Sequence, residues 1–171
     1  LKKNDPEKAG RFNIGEKFVL AFCREARIET TKGTVIFNPD GRTQHPRRKR
    51  EIGTKFWAII DCTQERFDQF VDHMQRILVR TGLKLTVNGI LIPERKPIVV
   101  FEETLLTEHG EALRPTKRKC AVELYETRDG ETAMLHELGI PVVETCDKWH
   151  YSVRQKVPLN VDRDNVTPAY L

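Results

Sequence analysis

The sequence LKLTVNGILIPERKPIVVFE, residues 83–102, decides the fold class because it contains three short apolar runs and no helical repeat. Asn88-Gly89 separates the first two runs, and this dipeptide is typical of the tight turn of a β-hairpin. Similar runs follow, so the chain after Gly82 is predicted to consist mainly of strands. The predicted strands are residues 83–87, 90–92, 97–102, 121–126, 139–144 and 151–161.

Helices are predicted at three places. The clearest begins at Thr63, a residue suited to cap a helix N-terminus, and ends before Gly82. We expect its apolar face to pack on a sheet as part of the core. A loop leading into a helix is predicted over residues 10–25, and a short helix over residues 132–138. The apolar residues of the clearest helix are Phe67, Phe70, Val71, Met74, Ile77 and Leu78.

Strands and polar turns are predicted for the rest of the N-terminal part. Two short strands cover residues 26–29 and 33–37, and KFWAIID at residues 55–61 is predicted to be a buried strand. The basic stretch at residues 42–51 is predicted to be an exposed loop. Because strands outnumber helices and rarely alternate with them in a regular order, the fold class is predicted to be α+β.

The composition excludes two classes of protein. The chain has 171 residues, with 29 Lys and Arg against 25 Asp and Glu, which gives a formal net charge of +4. No apolar run approaches the roughly 18 residues of a membrane span, and no signal-peptide pattern opens the chain. We therefore expect neither a membrane protein nor a secreted disulfide scaffold, whereas a charge this close to neutral permits an anionic ligand.

The cysteines and histidines lack the spacing of metal ligands, so no metal site is expected. The four cysteines lie far apart and are predicted to be reduced thiols, as in a cytoplasmic protein. The histidines are expected to be surface or capping residues. The chain begins at Leu1 without an initiator Met, so we expect a fragment. The residues concerned are Cys23, Cys62, Cys120, Cys146, His45, His73, His109, His136 and His150.

Residues 10–17, GRFNIGEK, form a candidate anion-binding segment. Glycines ahead of a helix let backbone N–H groups approach an anion closely, and the helix N-terminus adds partial positive charge. Arg11 and Lys17 add full positive charges that suit phosphate groups. Taken alone, two glycines at a helix entry more often form just a tight turn.

Three segments together resemble the GHKL ATPase superfamily, which includes gyrase B, MutL, histidine kinases and the ninety-kilodalton heat-shock chaperones. Gly10–Phe22 (GRFNIGEKFVLAF) resembles the glycine-rich lid of these proteins. Gly53–Phe56 (GTKF) is similar to the Gly-Thr strand that closes their nucleotide pocket. Val157–Val166 (VPLNVDRDNV) resembles the chaperones' middle-domain loop, which carries an ATP-sensing arginine.

The resemblance implies two domains. Residues 1–80 would form the back half of a Bergerat-type ATPase α/β sandwich, with a lid, strands and a helix. Residues 81–171 would form a second, mixed α/β domain similar to the family's transducer domain. The resemblance also implies ATP and Mg²⁺ as cofactors, and a function in which ATP binding and slow hydrolysis drive a domain rearrangement that acts on an unidentified protein client.

The resemblance further assigns roles to individual residues. Thr54 would contact adenine, directly or through a water molecule. Arg163 would be the catalytic residue that senses the γ-phosphate, because a guanidinium fork pairs with phosphate oxygens. Asn160 would hold the Arg163 loop in shape. The lid residues around the phosphates would be Gly10, Arg11, Phe12, Asn13, Ile14, Gly15 and Lys17.

The sequence departs from the family pattern in three respects. Asn13 replaces a common lid glycine, although Asn tolerates left-handed geometry better than most residues, and Asp162 replaces a serine. In the family, three elements precede the lid: a general-base Glu, a magnesium-binding Asn and an Asp-x-Gly-x-Gly segment. None of them occurs among the residues before Gly10. Two alternatives follow: these elements lie upstream, or the protein no longer hydrolyses ATP.

A non-catalytic interaction module on the same scaffold is the alternative function. Arg47–Arg50 is a run of four basic residues, and such runs suit a nucleic-acid backbone or another acidic partner, although solvated loops share this composition. No aromatic residues interleave with them, so base stacking is not predicted. A second copy of the chain is a further candidate partner, because many relatives dimerise through their lids. A second basic cluster comprises Arg114, Lys117, Arg118 and Lys119.

Overall fold

The computed structural model describes residues 5–8, 15–109, 114–160, 165–166 and 170. The chain forms two compact units. The N-terminal unit is Phe12–Phe67, and the C-terminal unit combines Leu1–Arg11 with Asp68–Leu171. The division therefore falls after residue 67, whereas the boundary expected from the sequence lies after residue 80.

The N-terminal unit is built around a four-stranded antiparallel sheet with the order β3-β2-β1-β4. A two-residue turn joins β1 to β2, and the side chain of Asn38 accepts a hydrogen bond from the Asp40 N–H (3.1 Å) in the turn before β3. Helix α1 runs directly into β1. The elements are α1 (Gly15–Phe22), β1 (Cys23–Thr30), β2 (Gly33–Asn38), β3 (Gly41–His45) and β4 (Lys55–Ile60).

Two expectations for this sheet are wrong. The exposed loop predicted at residues 42–51 overlaps β3, because an edge strand that is exposed on both faces carries no apolar alternation. The strand at 55–61 is present as β4, but it is not buried: four of its apolar side chains are more than a third exposed. These are Phe56, Trp57, Ile59 and Ile60.

The C-terminal unit contains a five-stranded sheet with the order β10-β9-β11-β8-β7 and a separate hairpin, β5-β6. Strand β11 is parallel to β9, and the other pairs are antiparallel. The Asn88-Gly89 hairpin is confirmed, with φ of 51° and 81° at these residues. The strands are β5 (Leu85–Val87), β6 (Ile90–Ile92), β7 (Val99–His109), β8 (Arg114–Glu126), β9 (Met134–Glu137), β10 (Ile140–Glu144) and β11 (Trp149–Val153).

The core of the C-terminal unit lies on β9, β11 and the segments that follow β11. Leu135, Val153, Val157 and Val166 form one buried cluster. The helix expected at residues 132–138 is wrong, because β9 pairs with both β10 and β11 there. Strand pairing overrides the high helix propensity of Met134 and its neighbours. The strand expected at 151–161 ends at Val153.

Helix α2 (Gln64–Gln75) is present where the sequence predicts a helix, but its end and its burial differ from the prediction. The Thr63 hydroxyl accepts a hydrogen bond from the Arg66 N–H (3.3 Å), so Thr63 caps the helix as expected. The helix ends at Gln75 rather than before Gly82, and none of its residues is buried. The expectation of a core helix is therefore wrong.

The predicted fold class is also wrong. The described residues form eleven strands in three sheets and only two helices, of 8 and 12 residues, so this is a mostly-β structure. A Bergerat α/β sandwich requires a layer of helices that buries one face of its sheet, and α2 contributes no buried residue to such a layer. No helix in the described part of the chain is long and apolar enough to cross a membrane.

Candidate functional site

The predicted lid lies only partly within the described residues. Gly10, Arg11, Phe12, Asn13 and Ile14 lie outside them. Gly15 is the first residue of α1, and Lys17 belongs to the first turn of that helix. The described part of the predicted lid is therefore the N-terminus of a helix, where the first backbone N–H groups lack partners within the helix.

Thr54 is an exposed residue directly before β4. Gly53 precedes it with φ of 71°, a backbone conformation that favours glycine. Strand β4 pairs with β1, and β1 continues from α1 without an intervening loop. The Gly-Thr segment and the start of α1 thus belong to the same compact unit.

Asn160 bonds Asn165 on the other side of residues 161–164. Its backbone N–H donates to the Asn165 carbonyl (3.0 Å), and its side-chain oxygen accepts from the Asn165 N–H (3.3 Å). Leu159 and Val166 form a β-bridge next to these bonds. Residues 161–164, Arg163 among them, lie outside the described residues, and the bonded residues flank them on both sides.

The C-terminal unit contains a polar cluster that the sequence does not predict. Arg95 Nη1 bonds both carboxylate oxygens of Glu131 (3.1 and 3.0 Å), and its Nη2 donates to the Glu126 carbonyl. His150 Nε2 lies 3.1 Å from Glu131 Oε2. Although burial alone raises the pKa of Glu131, hydrogen bonds from the Arg128 N–H and from His150, together with the charge of Arg95, lower it to about 2.

Two buried histidines complete this cluster. His150 Nδ1 accepts a hydrogen bond from the Met134 N–H (3.1 Å), so the proton of the neutral ring belongs on Nε2, facing Glu131. The ring nitrogens of His136 lie 3.2 Å from the Met134 carbonyl and 3.1 Å from the Arg76 carbonyl. Burial lowers the pKa of His136 to about 4. The expectation that the histidines are surface or capping residues is wrong for these two.

A cavity of about 250 Å³ adjoins the cluster, and three arginines line it. Two of them are matched by carboxylates: Arg95 by Glu131, and Arg76 by Asp72 (2.7 Å). The cluster therefore acts mainly as an internal charge network. No sequence spacing could have revealed it, because its members come from separate segments. The arginines are Arg76, Arg95 and Arg128.

A second cavity, of about 630 Å³, is mostly apolar and lies against the five-stranded sheet. Tyr151 lines it and donates its hydroxyl hydrogen to Asp147. Burial raises the pKa of Tyr170, which also lines the cavity. Glu103 and Glu144 line the cavity together with Asp147, so acidic groups are interspersed with its apolar residues.

The two predicted basic clusters differ in their surroundings. Arg47, Arg48 and Lys49 are exposed in the segment between β3 and β4. In the second cluster, which lies on β8, Lys119 pairs with Glu102 and Arg118 Nη2 lies 2.5 Å from Glu7 Oε1. Carboxylates therefore neutralise much of the second cluster, and the first is the more available to an acidic partner.

Within the described ranges, no group of three or more His, Cys, Asp or Glu residues is arranged to hold a metal ion. The four cysteines are free thiols. Comparison of the chain with protein-family models, with curated proteins and with solved structures gives no match.

Proposed function

We propose that the chain belongs to an ATP-binding protein whose N-terminal unit contributes part of the nucleotide site. One observation carries the proposal: α1 begins at Gly15, the second glycine of the candidate anion-binding segment, and leads directly into the strand that pairs with β4, which Thr54 precedes. The two motifs that resemble nucleotide-binding segments are thus joined through one sheet.

The start of α1 supplies the chemistry that phosphate groups require. The first backbone N–H groups of a helix have no acceptor within it, and the helix dipole adds partial positive charge. Phosphate oxygens are therefore stabilised at such a position, and the sequence of this segment also contains Lys17. In this proposal Mg²⁺ accompanies ATP and offsets the remaining phosphate charge.

Thr54 and Arg163 take the other two roles. The Thr54 hydroxyl bonds adenine or a water molecule next to it. Arg163 senses the γ-phosphate, and the hydrogen bonds between Asn160 and Asn165 support the proposal because they fix both ends of its loop. Charge on the γ-phosphate then favours one arrangement of the protein, and loss of that phosphate favours another.

Substitution of Thr54 tests the proposal. Thr54→Val removes the hydroxyl and keeps the shape of the side chain, so we expect Mg-ATP binding to weaken by about tenfold, the value of one hydrogen bond. Thr43→Val is the matched control, because Thr43 is an exposed threonine on β3 of the same sheet. Equal affinities of the two variants for ATP in calorimetric titrations would contradict the assignment of Thr54.

The exposed run Arg47–Lys49 supports a second candidate function, the binding of an acidic partner such as nucleic acid. Each phosphate contact made by such residues gives a salt dependence of about −0.9 in log K against log salt. Reversal of Arg47–Arg50 to Glu is then expected to abolish binding of a mixed-sequence DNA duplex together with its salt dependence. A wild-type affinity that does not change with salt would eliminate this candidate.

A further inference from the structure

Strand β4 is an edge strand with the composition of a central strand. It pairs with β1 on one side, and in the described part of the chain no strand pairs with its other side. Phe56 and Ile60 lie on one face, 49% and 50% exposed, and Trp57 and Ile59 lie on the opposite face, 38% and 41% exposed. Strands that are apolar on both faces are typical of sheets whose two faces are both covered.

The opposite edge of the same sheet shows how an edge is usually protected. Strand β3, with the sequence GRTQH, is polar throughout and exposed along its length. Charged and polar side chains on an edge strand discourage pairing with another chain. Strand β4 lacks this protection, because Lys55 is its only charged residue.

The register of the sheet shows which backbone groups of β4 are free. Thr30 and Gly33 flank the two-residue turn between β1 and β2, and residues in that position exchange both backbone hydrogen bonds. Because the bonds alternate along β1, residues such as Arg27 bond to β4, opposite Trp57. The N–H and C=O groups of Phe56, Ala58 and Ile60 on β4 consequently face away from β1.

The sequence of β4 is self-complementary about Ala58. If two copies pair antiparallel with Ala58 opposite Ala58, then Phe56 faces Ile60 and Trp57 faces Ile59. The same register sets Lys55 of one copy opposite Asp61 of the other, so unlike charges meet at both ends. All the backbone groups that the free edge offers find partners in this register.

We propose that β4 is a homodimer interface, in which two copies of the chain pair antiparallel through the Phe56–Ile60 edges and join their sheets into one of eight strands. The contact is isologous, since each copy offers the same edge to the other, and two-fold pairing of this kind closes without leading to fibres. It also gives the Trp57 and Ile59 side chains cross-strand apolar partners.

Asp61 is available for the cross-strand ion pair even though it already has a partner. Arg24 contacts one of its oxygens, Oδ1, and the side chains of Arg24 and Asp61 remain 67% and 69% exposed. Lys55 of the second copy can therefore approach the other carboxylate oxygen. Opposite charges directly across a ladder stabilise it, whereas like charges there destabilise it.

Charge reversal tests the register. Analytical ultracentrifugation over a concentration series is expected to show a monomer–dimer equilibrium for the wild-type chain. Lys55→Glu sets like charges opposite each other at both ends, so we expect the dimer dissociation constant to rise by about tenfold or more. Adding Asp61→Lys in the same chain restores unlike charges and should return the constant close to its wild-type value. Lys32→Glu, in the β1–β2 turn, is the control and should have no effect.

Ala58→Pro tests the backbone part of the interface. The Ala58 N–H faces away from β1, so proline removes no hydrogen bond within the sheet but blocks pairing at the free edge. We expect a folded monomer, with the fold checked by circular dichroism. A wild-type chain that is monomeric at every concentration would overturn the proposal, as would a dimer that Lys55→Glu leaves unchanged. A dimer that Lys55→Glu weakens and Asp61→Lys does not rescue would equally overturn it, because the strands would then pair in another register.

Discussion

His136 and His150 meet edge to face, with their ring centroids 5.4 Å apart and their planes at 82°. Both rings are buried, and each bonds to the β9 backbone through Met134. His136 also reaches the Arg76 carbonyl, just after α2. The pair therefore links β9 to the segment that follows the helix, and the protonation state of His136 bears on the stability of the C-terminal unit.

Acidification is expected to destabilise the C-terminal unit in a defined pH window. Burial lowers the pKa of His136 from 6.5 to about 4, so between these values the unfolded chain binds a proton that the folded chain does not. The free energy of unfolding should fall as pH falls from 6.5 to 4, by up to about 1.4 kcal/mol per pH unit. Urea unfolding followed by Trp149 fluorescence in a Trp57→Phe background measures it.

Substitution of His136 isolates its contribution to that slope. His136→Gln should flatten the dependence between pH 6.5 and 4, whereas His45→Gln, at an exposed position on β3, should leave it intact. Glu131 acts in a lower window, because its stabilising effect is present above pH 4.5 and is lost as pH falls towards 2. An unchanged slope in His136→Gln would refute the role assigned to this ring.

The contact of Arg95 with both carboxylate oxygens of Glu131 should make the stability of the C-terminal unit sensitive to a conservative substitution of Arg95. Lysine cannot bond both carboxylate oxygens and the Glu126 carbonyl with the geometry that Arg95 has. We expect Arg95→Lys to reduce the free energy of unfolding by about 1–3 kcal/mol. Arg24→Lys is the control, because the Arg24–Asp61 pair is exposed and contributes little. Equal effects of the two substitutions would contradict this ranking.

Gly139 is expected to be intolerant of any side chain. Its φ is 88°, and a Cβ atom there would lie 2.5 Å from the Leu78 carbonyl oxygen. The Gly139 carbonyl also accepts the Leu78 N–H (2.9 Å), so the two backbones cannot separate without losing a bond. Gly139→Ala should cost more than about 2 kcal/mol. Gly130→Ala, with φ of 80° and open space around it, should cost only about 1 kcal/mol.

Arg163→Ala tests the proposed γ-phosphate sensor in a form of the protein that hydrolyses ATP. Arginines that stabilise phosphoryl transfer act mainly on the transition state, so turnover should fall by up to about 10³-fold while nucleotide binding is largely kept. Asn160→Ala is a milder companion, because it removes one of the bonds that close the loop. Unchanged turnover in Arg163→Ala would remove Arg163 from the mechanism.

Residues that are close together in the sequence were sufficient to predict several elements of the fold. Asn88-Gly89 predicted its hairpin because the turn requires the positive φ that these two residues adopt readily. Thr63 predicted the start of α2 because its hydroxyl bonds an otherwise unpaired N–H. Such features depend only on residues that are close in sequence.

Features that depend on distant partners could not be predicted in this way. The spacing of Phe67 and Phe70 indicates a helix, but it does not show whether another element covers that face, and both residues are exposed. Met134 favours a helix by propensity and lies in a strand because β10 and β11 flank it. The Arg95–Glu131–His150 cluster joins three segments of the chain, and no spacing along the sequence indicates that they meet.

Calorimetric titration of the intact chain with Mg-ATP tests the central claim most directly. The account predicts saturable binding at one site per chain, weakened in Thr54→Val and retained in Thr43→Val. An absence of heat at all ATP concentrations, in a sample shown to be folded, would contradict the claim that these residues contribute a usable nucleotide site.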